Sequence, residues 1–206
     1  MKIIRNNRRG VLVALMACLL ASNSAFGQTA KQVLEKTATV VSAASGVQAQ
    51  FSIKGTAINA SGSISVKGNK FCATTPEAAI WFDGKTQWTY LRKNDEVNVS
   101  SPTEAQLTAI NPYNFIYLYK KGYTYTMEKK ATTYIVHLTA TDKKKPIQEM
   151  YITIAQKSHT PSQIRMKQTK GWTTIDISHF KTAHLADANF RFNSKDFPTA
   201  EVIDLR

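Results

Sequence analysis

The sequence predicts a mainly β domain: a single curved antiparallel sheet of about ten strands, one helix ahead of it and a helical interruption midway. Two observations carry this reading. Apolar and polar residues alternate with a period of two in run after run, the pattern of strands with one buried face. Helical punctuation appears only between residue 30 and the first strand, and again around residues 101–122.

Ahead of these elements, residues 1–27 have the three parts of a secretory signal peptide in order. Lys2, Arg5, Arg8 and Arg9 form a positive start, and Val11 to Ala21 is an apolar run too short to span a bilayer. Ala25 and Gly27 then hold the small-residue positions of a cleavage site before Gln28. Leu15-Met16-Ala17-Cys18 also has the shape of a lipobox, which would put a lipid on Cys18 and tether the protein to a membrane. Leu19, Leu20 and Ala21 continue the apolar run past that cysteine, and Met16 is large for its position, so cleavage after Gly27 is the expectation. Such cleavage takes the net charge of the 206-residue chain from +13 to +9 by removing four basic residues. Residues 28–206 then form one domain, long enough to bury a sizeable core. Its lone thiol, Cys72, cannot form an internal disulfide, so packing must stabilise it.

Ala30 to Ala44 reads as a helix, with Val33, Thr37, Val40 and Ala44 on one face, Leu34 and Val41 widening it, and Gly46 ending it. The period then changes: Val47, Ala49, Phe51 and Ile53 alternate with Gln48, Gln50, Ser52 and Lys54. The same alternation returns at Ile64 and Val66, at Ala78, Ile80 and Phe82, at Trp88 and Tyr90, and at Val97 and Val99. Asp83-Gly84 between two of these runs predicts a tight type I′ hairpin. Ser101-Pro102-Thr103-Glu104 reads as a capping box opening a short turn through Leu107 and Ile110. Asn111-Pro112 reads as a second helix start, running through Phe115, Ile116, Leu118 and Tyr119 to a terminating Gly122. Strands resume at Tyr123, Tyr125 and Met127, then at Tyr134, Val136 and Leu138. Met150, Ile152 and Ile154, then Ile164 and Met166, then Ile175 and Ile177 complete the set. Because nearly every strand is apolar on one side, one face of the sheet is wet and the other needs cover. Two helical segments cannot cover so many strands, which leaves a cavity or open mouth as one outcome and a filled barrel without ligand as the other.

Catalytic and metal-binding patterns are not found. His137, His159, His179 and His184 lack the spacing of a metal site. Gly84-Lys85-Thr86 echoes the end of a phosphate-binding loop, but Ala79 stands where the leading glycine belongs and a strand follows. No nucleophile elbow occurs, and the 14 carboxylates are scattered. Cys72 reads as an inert, half-buried thiol. Lys120-Lys121, Lys129-Lys130 and Lys143-Lys144-Lys145 sit beside turn residues. They read either as solvated turns that protect edges or as a docking surface for an anionic membrane or acidic partner. Nucleic acid is not an expected partner, since no recognition-helix pattern accompanies the charge.

Gly62-Ser63-Ile64-Ser65-Val66-Lys67, then Phe71, Thr75-Pro76, and Asp83-Gly84-Lys85-Thr86 with Trp88 and Tyr90, resemble the periplasmic outer-membrane lipoprotein carriers of the LolA family. That family reads G-x-L-x-V-K, an aromatic, T-P, then D-G-K-x-x-W-x-Y. His179-Phe180 through Ala188-Asn189-Phe190-Arg191-Phe192 to Val202-Ile203-Asp204 resembles the family's closing strand and tail. The resemblance implies an incomplete, unclosed β-barrel with a helical lid over a hydrophobic cavity, and no enzymatic activity or cofactor. It further implies a monomeric carrier that takes acylated lipoproteins from an inner-membrane ABC transporter to an outer-membrane acceptor or membrane surface. Phe51, Phe71, Ile80 and Phe82 are the candidate lipid contacts on the sheet, and Leu107, Ile110, Phe115 and Ile116 those on the helical cover. One departure stands out. Family members follow V-K with R-P, whose arginine latches the lid, whereas this chain has Lys67-Gly68-Asn69-Lys70. A lysine lacks the planar fork of arginine, so the latch does not carry over. Two other readings are a regulatory module that senses mislocalised lipoproteins, usually with an additional domain, and an anchored acceptor if Cys18 is lipidated. A hydrolase is weakened by the missing catalytic constellation.

Overall fold

A computed structural model of the chain describes residues 28–56, 58–103, 106–107, 118–120 and 122–206. The expected signal peptide lies outside the described residues, as do Ile110, Phe115 and Ile116.

Helix α1, Ala30–Val41, opens on a capping box in which Thr29 Oγ1 accepts from the Gln32 amide and Gln32 Oε1 accepts from the Thr29 amide. It buries Val33, Leu34, Thr37, Ala38 and Val41. Of the expected face, Val33, Leu34, Thr37 and Val41 are buried, whereas Val40 is only half-buried, Ala44 is exposed, and Ala38 takes part instead. The buried Thr37 hydroxyl donates to the Val33 carbonyl at 2.9 Å, so its burial leaves no unpaired donor. Ser42 Oγ donates to the Ala38 carbonyl and ends the helix before Ala44.

Among the described residues twelve strands form one sheet. They are β1 (Val47–Gly55), β2 (Ile58–Lys67), β3 (Lys70–Thr74), β4 (Ala78–Phe82), β5 (Gln87–Leu91) and β6 (Glu96–Ser100), then β7 (Tyr123–Lys129), β8 (Thr133–Ala140), β9 (Ile147–Ala155), β10 (Pro161–Gln168), β11 (Gly171–Thr182) and β12 (Glu201–Asp204). The order β12-β6-β5-β4-β3-β2-β1-β11-β10-β9-β8-β7 joins two meanders through the β1–β11 pair. The end strands β12 and β7 do not pair, so the barrel is unclosed. The surplus over the expected count lies in short strands such as β12, whose four residues carry too little alternation to stand out. Residues 101–122 connect β6 to β7, which lie near opposite edges of the sheet.

Cross-strand register assigns the faces, because directly paired residues point the same way. Val47, Val66, Phe71 and Phe82 form one row, and Ala49, Ile64, Ala73 and Ile80 the next. Across β11 to β8, Ile175, Ile164, Ile152 and Val136 continue this concave face, which packs with α1 into the main core.

The expectation of one wet face fails at β5 and β6. Trp88 pairs with Trp81 and Val99, and Tyr90 with Ala79 and Val97, so these apolar residues point to the convex side. They form a second small core covered by the C-terminal segment. Phe192 and Phe197 pack edge-on against Trp81 at 5.7 and 5.6 Å, and Phe197 lies 4.6 Å from Tyr90. Beyond them, β12 adds in parallel to β6.

Two turns also differ from expectation. Asp83 does not adopt positive φ, which a type I′ turn requires; only Gly84 does, at 101°. Asp83 Oδ1 instead accepts from the amides of Lys85 and Thr86, which makes residues 83–86 a longer Asx-type loop. The capping box shifts by two residues: Thr103 Oγ1 accepts from the Gln106 amide and Gln106 Oε1 from the Thr103 amide.

Candidate functional site

The concave face divides into a sealed half and a half-open one. Under α1, Val136, Leu138, Met150, Ile152, Ile154 and Ile164 are fully buried. Across β11, β1, β2, β3 and β4 the same face carries Ile177, Phe51, Ile53, Ala73 and Ile80, each only partly buried yet packed against the main core. They adjoin one another by register, with Phe51 opposite Ile177 and Gly62, and Ala73 opposite Ile80. The result is a continuous apolar wall that the described residues leave half-uncovered.

Gly62 keeps this wall flat. A Cβ there would sit 2.0 Å from the Thr74 carbonyl oxygen and 3.1 Å from Phe51 Cζ, so the ring occupies space that a side chain would need. Thr75 then turns the chain by accepting at Oγ1 from the amides of Glu77 and Ala78. A polar margin bounds the wall beyond Ile80, where Thr89 and Asn98 continue its row. Beside them Gln87 is buried, donates to Thr89 Oγ1 at 3.0 Å, and leaves its Oε1 without a partner among the described residues.

The four expected sheet residues all lie on this face, in two kinds of environment. Phe51 and Ile80 are half-exposed on the wall. Phe71 and Phe82 are buried, with ring centroids 5.6 Å apart, and form its floor. Leu107 packs on the main core, the one expected cover residue among those described. Sequence reasoning missed Ile53, Ala73 and Ile177 as wall positions, although period-two spacing from Phe51, Phe71 and Ile175 would have reached them.

The rim beside the wall is clamped by charge. Lys67 Nζ donates to the Leu185 carbonyl at 2.8 Å and to Asp187 Oδ1 at 2.9 Å, while Lys70 Nζ donates to Asp187 Oδ2 at 2.7 Å. Hydrogen bonds from Lys70 and Lys67 hold the Asp187 carboxyl down to about 2. Both lysines at the family's latch position are thus engaged with the C-terminal segment. Next to them Arg191 Nε lies 3.2 Å from Asp83 Oδ2. Burial would push the Asp83 carboxyl up, but the Thr86 and Lys85 amides together with Arg191 hold it below its ordinary value.

The family model of the outer membrane lipoprotein carrier protein LolA matches residues 20–170. The chain belongs to this family. Among solved structures, an uncharacterized conserved protein from Thermus thermophilus is similar at 13% identity, with a TM-score of 0.59 over 86% of this chain and 99% of that one. A LolA superfamily protein from Nitrosomonas europaea is similar at 15% identity, with a TM-score of 0.44 over 80% of this chain and 98% of that one. MucB in its complex with MucA from Pseudomonas aeruginosa is similar at 10% identity, with a TM-score of 0.44 over 79% of this chain and 60% of that one. No curated protein matches the sequence.

In this LolA family member the D-G-K-x-x-W-x-Y element does not line the concave wall. Asp83 orders a turn, while Trp88 and Tyr90 support the convex core under the tail. Cys72 pairs with Ser65 and Trp81 on the convex side, and burial raises its thiol pKa. His137 stacks on Tyr151 at 4.2 Å and lies 3.5 Å from Glu149. Among the described residues no group of three His, Cys, Asp or Glu is placed to hold a metal ion, and no helix is long and apolar enough to cross a membrane.

Proposed function

We propose that this protein is a non-enzymatic, monomeric periplasmic carrier that binds lipoprotein acyl chains against its concave wall and shuttles them from the inner to the outer membrane. One observation carries the reading: a contiguous apolar wall, half-uncovered, on the inner face of an unclosed sheet. An exposed acyl chain costs about 0.8 kcal/mol per methylene, so an anchor of two or three chains needs an apolar container to cross water. A wall that is open along one side supplies such a container while leaving a route for release. Phe51 and Ile80 meet the chains directly, Phe71 and Phe82 support them from below, and Leu107, Ile110, Phe115 and Ile116 contribute from the cover. Residues 1–27 direct export and are cleaved after Gly27, because a shuttle must leave the membrane. An inner-membrane ABC transporter supplies the cargo, and an outer-membrane acceptor or the membrane surface receives it.

Native mass spectrometry of the protein purified from its own periplasm tests this. Co-purifying acylated lipoproteins are expected. A protein that is clean of lipid, and that also takes no lipoprotein from inner-membrane vesicles, would contradict the proposal.

A further inference from the structure

One group of lysines beside turns gathers at a single end of the barrel. Gly55 pairs with Thr173 and with Ile58, Gln168 pairs with Gly171 and with Ile147, and Ala140 pairs with Tyr123. The β1–β2, β8–β9 and β10–β11 turns therefore lie side by side at one end of the barrel. A crevice of about 270 Å³ between them is lined by Thr56, Pro146 and Lys170 among others. Lys54, Lys143, Lys144, Lys145, Lys167 and Lys170 cluster at this end, where Asp142 and Glu149 are the carboxylates on the same turns and strand ends. Glu149 is already paired with Lys167 at 3.0 Å, and Asp142 Oδ1 accepts from the Lys144 amide. Lys54, Lys143, Lys144 and Lys170 form no salt bridge among the described residues. At the opposite end Lys67, Lys70, Arg191 and Lys130 are each paired with a carboxylate, while Lys85, Lys129 and Lys181 form no salt bridge among the described residues.

The basic turns are ordered rather than loose. Gln148 Nε2 donates to the Lys143 and Lys145 carbonyls, and Lys145 packs its ammonium 5.3 Å from the Tyr123 ring. Lys143 and Lys144 are left pointing to solvent from this braced turn. Next to the β10–β11 turn stands Trp172, 37% exposed, with Arg165 and Lys167 at 5.1 and 6.0 Å from its ring. An exposed tryptophan flanked by cations is the side-chain pairing that settles into a lipid headgroup layer.

We propose that this end of the barrel docks on the surface of an anionic phospholipid bilayer, through Lys143, Lys144 and Lys170 with Trp172 entering the headgroup layer. The unpaired lysines stand on turns rather than inside a pocket, so they match a charged plane better than a single acidic ligand. Docking is distinct from cargo uptake, and it extends the carrier reading by naming where the protein meets a membrane. Each lysine near an anionic bilayer strengthens partitioning about fivefold. The charge acts within a Debye length, so docking weakens with added salt.

The test uses the purified mature protein, residues 28–206, with vesicles of phosphatidylglycerol and phosphatidylethanolamine, and with vesicles of phosphatidylcholine alone. Binding to the anionic vesicles, a blue shift of tryptophan emission that Trp172→Phe abolishes, and loss of both at high salt are expected. Lys143→Gln/Lys144→Gln/Lys170→Gln should bind about a hundredfold more weakly. The charge-matched Lys85→Gln/Lys129→Gln/Lys181→Gln, at the opposite end, should bind as the parent does. Equal losses in the two triples, or equal binding to both vesicle types, would overturn the assignment. Uptake of a water-soluble acyl probe should be unchanged in the first triple, and its loss would place these lysines in the cargo site and overturn the docking role.

Discussion

Truncating Phe51 and Phe71 in turn separates wall from floor on the concave face. Phe71 is 0% exposed and held between Val66 and Phe82 by strand register on both sides. Phe71→Ala therefore leaves a void that paired backbones cannot collapse to fill, at a cost of about 3–5 kcal/mol. That is a large share of the roughly 5–15 kcal/mol by which a domain is stable. At about 2–4 °C per kcal/mol for a domain of this size, the melting temperature should fall by about 6–20 °C. Phe51 is only half-buried, so Phe51→Ala gives up about 1–2 kcal/mol of the burial of a phenyl ring. Thermal unfolding followed by far-ultraviolet circular dichroism measures both. Equal losses, or a larger loss from Phe51→Ala, would refute the division of this face into a buried floor and an open wall. The division also decides which change is informative about cargo. A failure of uptake in a Phe71 variant confounds binding with folding, whereas Phe51 can be altered in a protein that remains folded.

Gly62→Ala places a methyl against the Thr74 carbonyl and the Phe51 ring, and overpacking of this kind costs about 1–3 kcal/mol, read as a lower urea midpoint at unchanged slope. An unchanged midpoint would show that the wall yields at this point. Asp187→Asn should destabilise the protein at neutral pH. Because the native carboxyl titrates at about 2 rather than 3.8, its stabilisation is complete above about pH 4 and is lost as pH falls through about 2. The stability difference between parent and variant should close over that window, and a difference that persists into stronger acid would rule out the two lysines as its source.

Most of the architecture was legible because a single-faced strand writes its environment as alternation. From β7 through β11 one face packs with α1 into the main core, and the apolar residues found there are largely those that the alternation picked out, Ile147 at the start of β9 being one that it did not. Legibility failed where a second layer covers the other face. Trp88, Tyr90, Val97 and Val99 also alternate, but alternation gives a phase without saying which side is inside. The covering residues Phe192 and Phe197 lie in an irregular segment with no period to read. The Asp83-Gly84 turn was misjudged for a related reason. The dipeptide suits a type I′ turn, yet the Asp83 carboxylate can cap two amides of a longer loop, and that arrangement prevails. The pairing of Lys67 and Lys70 with Asp187 spans more than a hundred residues of sequence, and no local pattern announces it.

The claim that the concave wall receives acyl chains is tested most directly by photocrosslinking. A lipoprotein carrying a diazirine in its acyl chain would be loaded onto the protein, irradiated, and the labelled residues mapped by mass spectrometry. Labels on Phe51, Ile53, Ile80 and Ile177, and their loss when Phe51→Glu is introduced into a protein that still folds, are the predicted result. Labels concentrated on the convex side, at Ser52, Ser61 and Ser63, would contradict it.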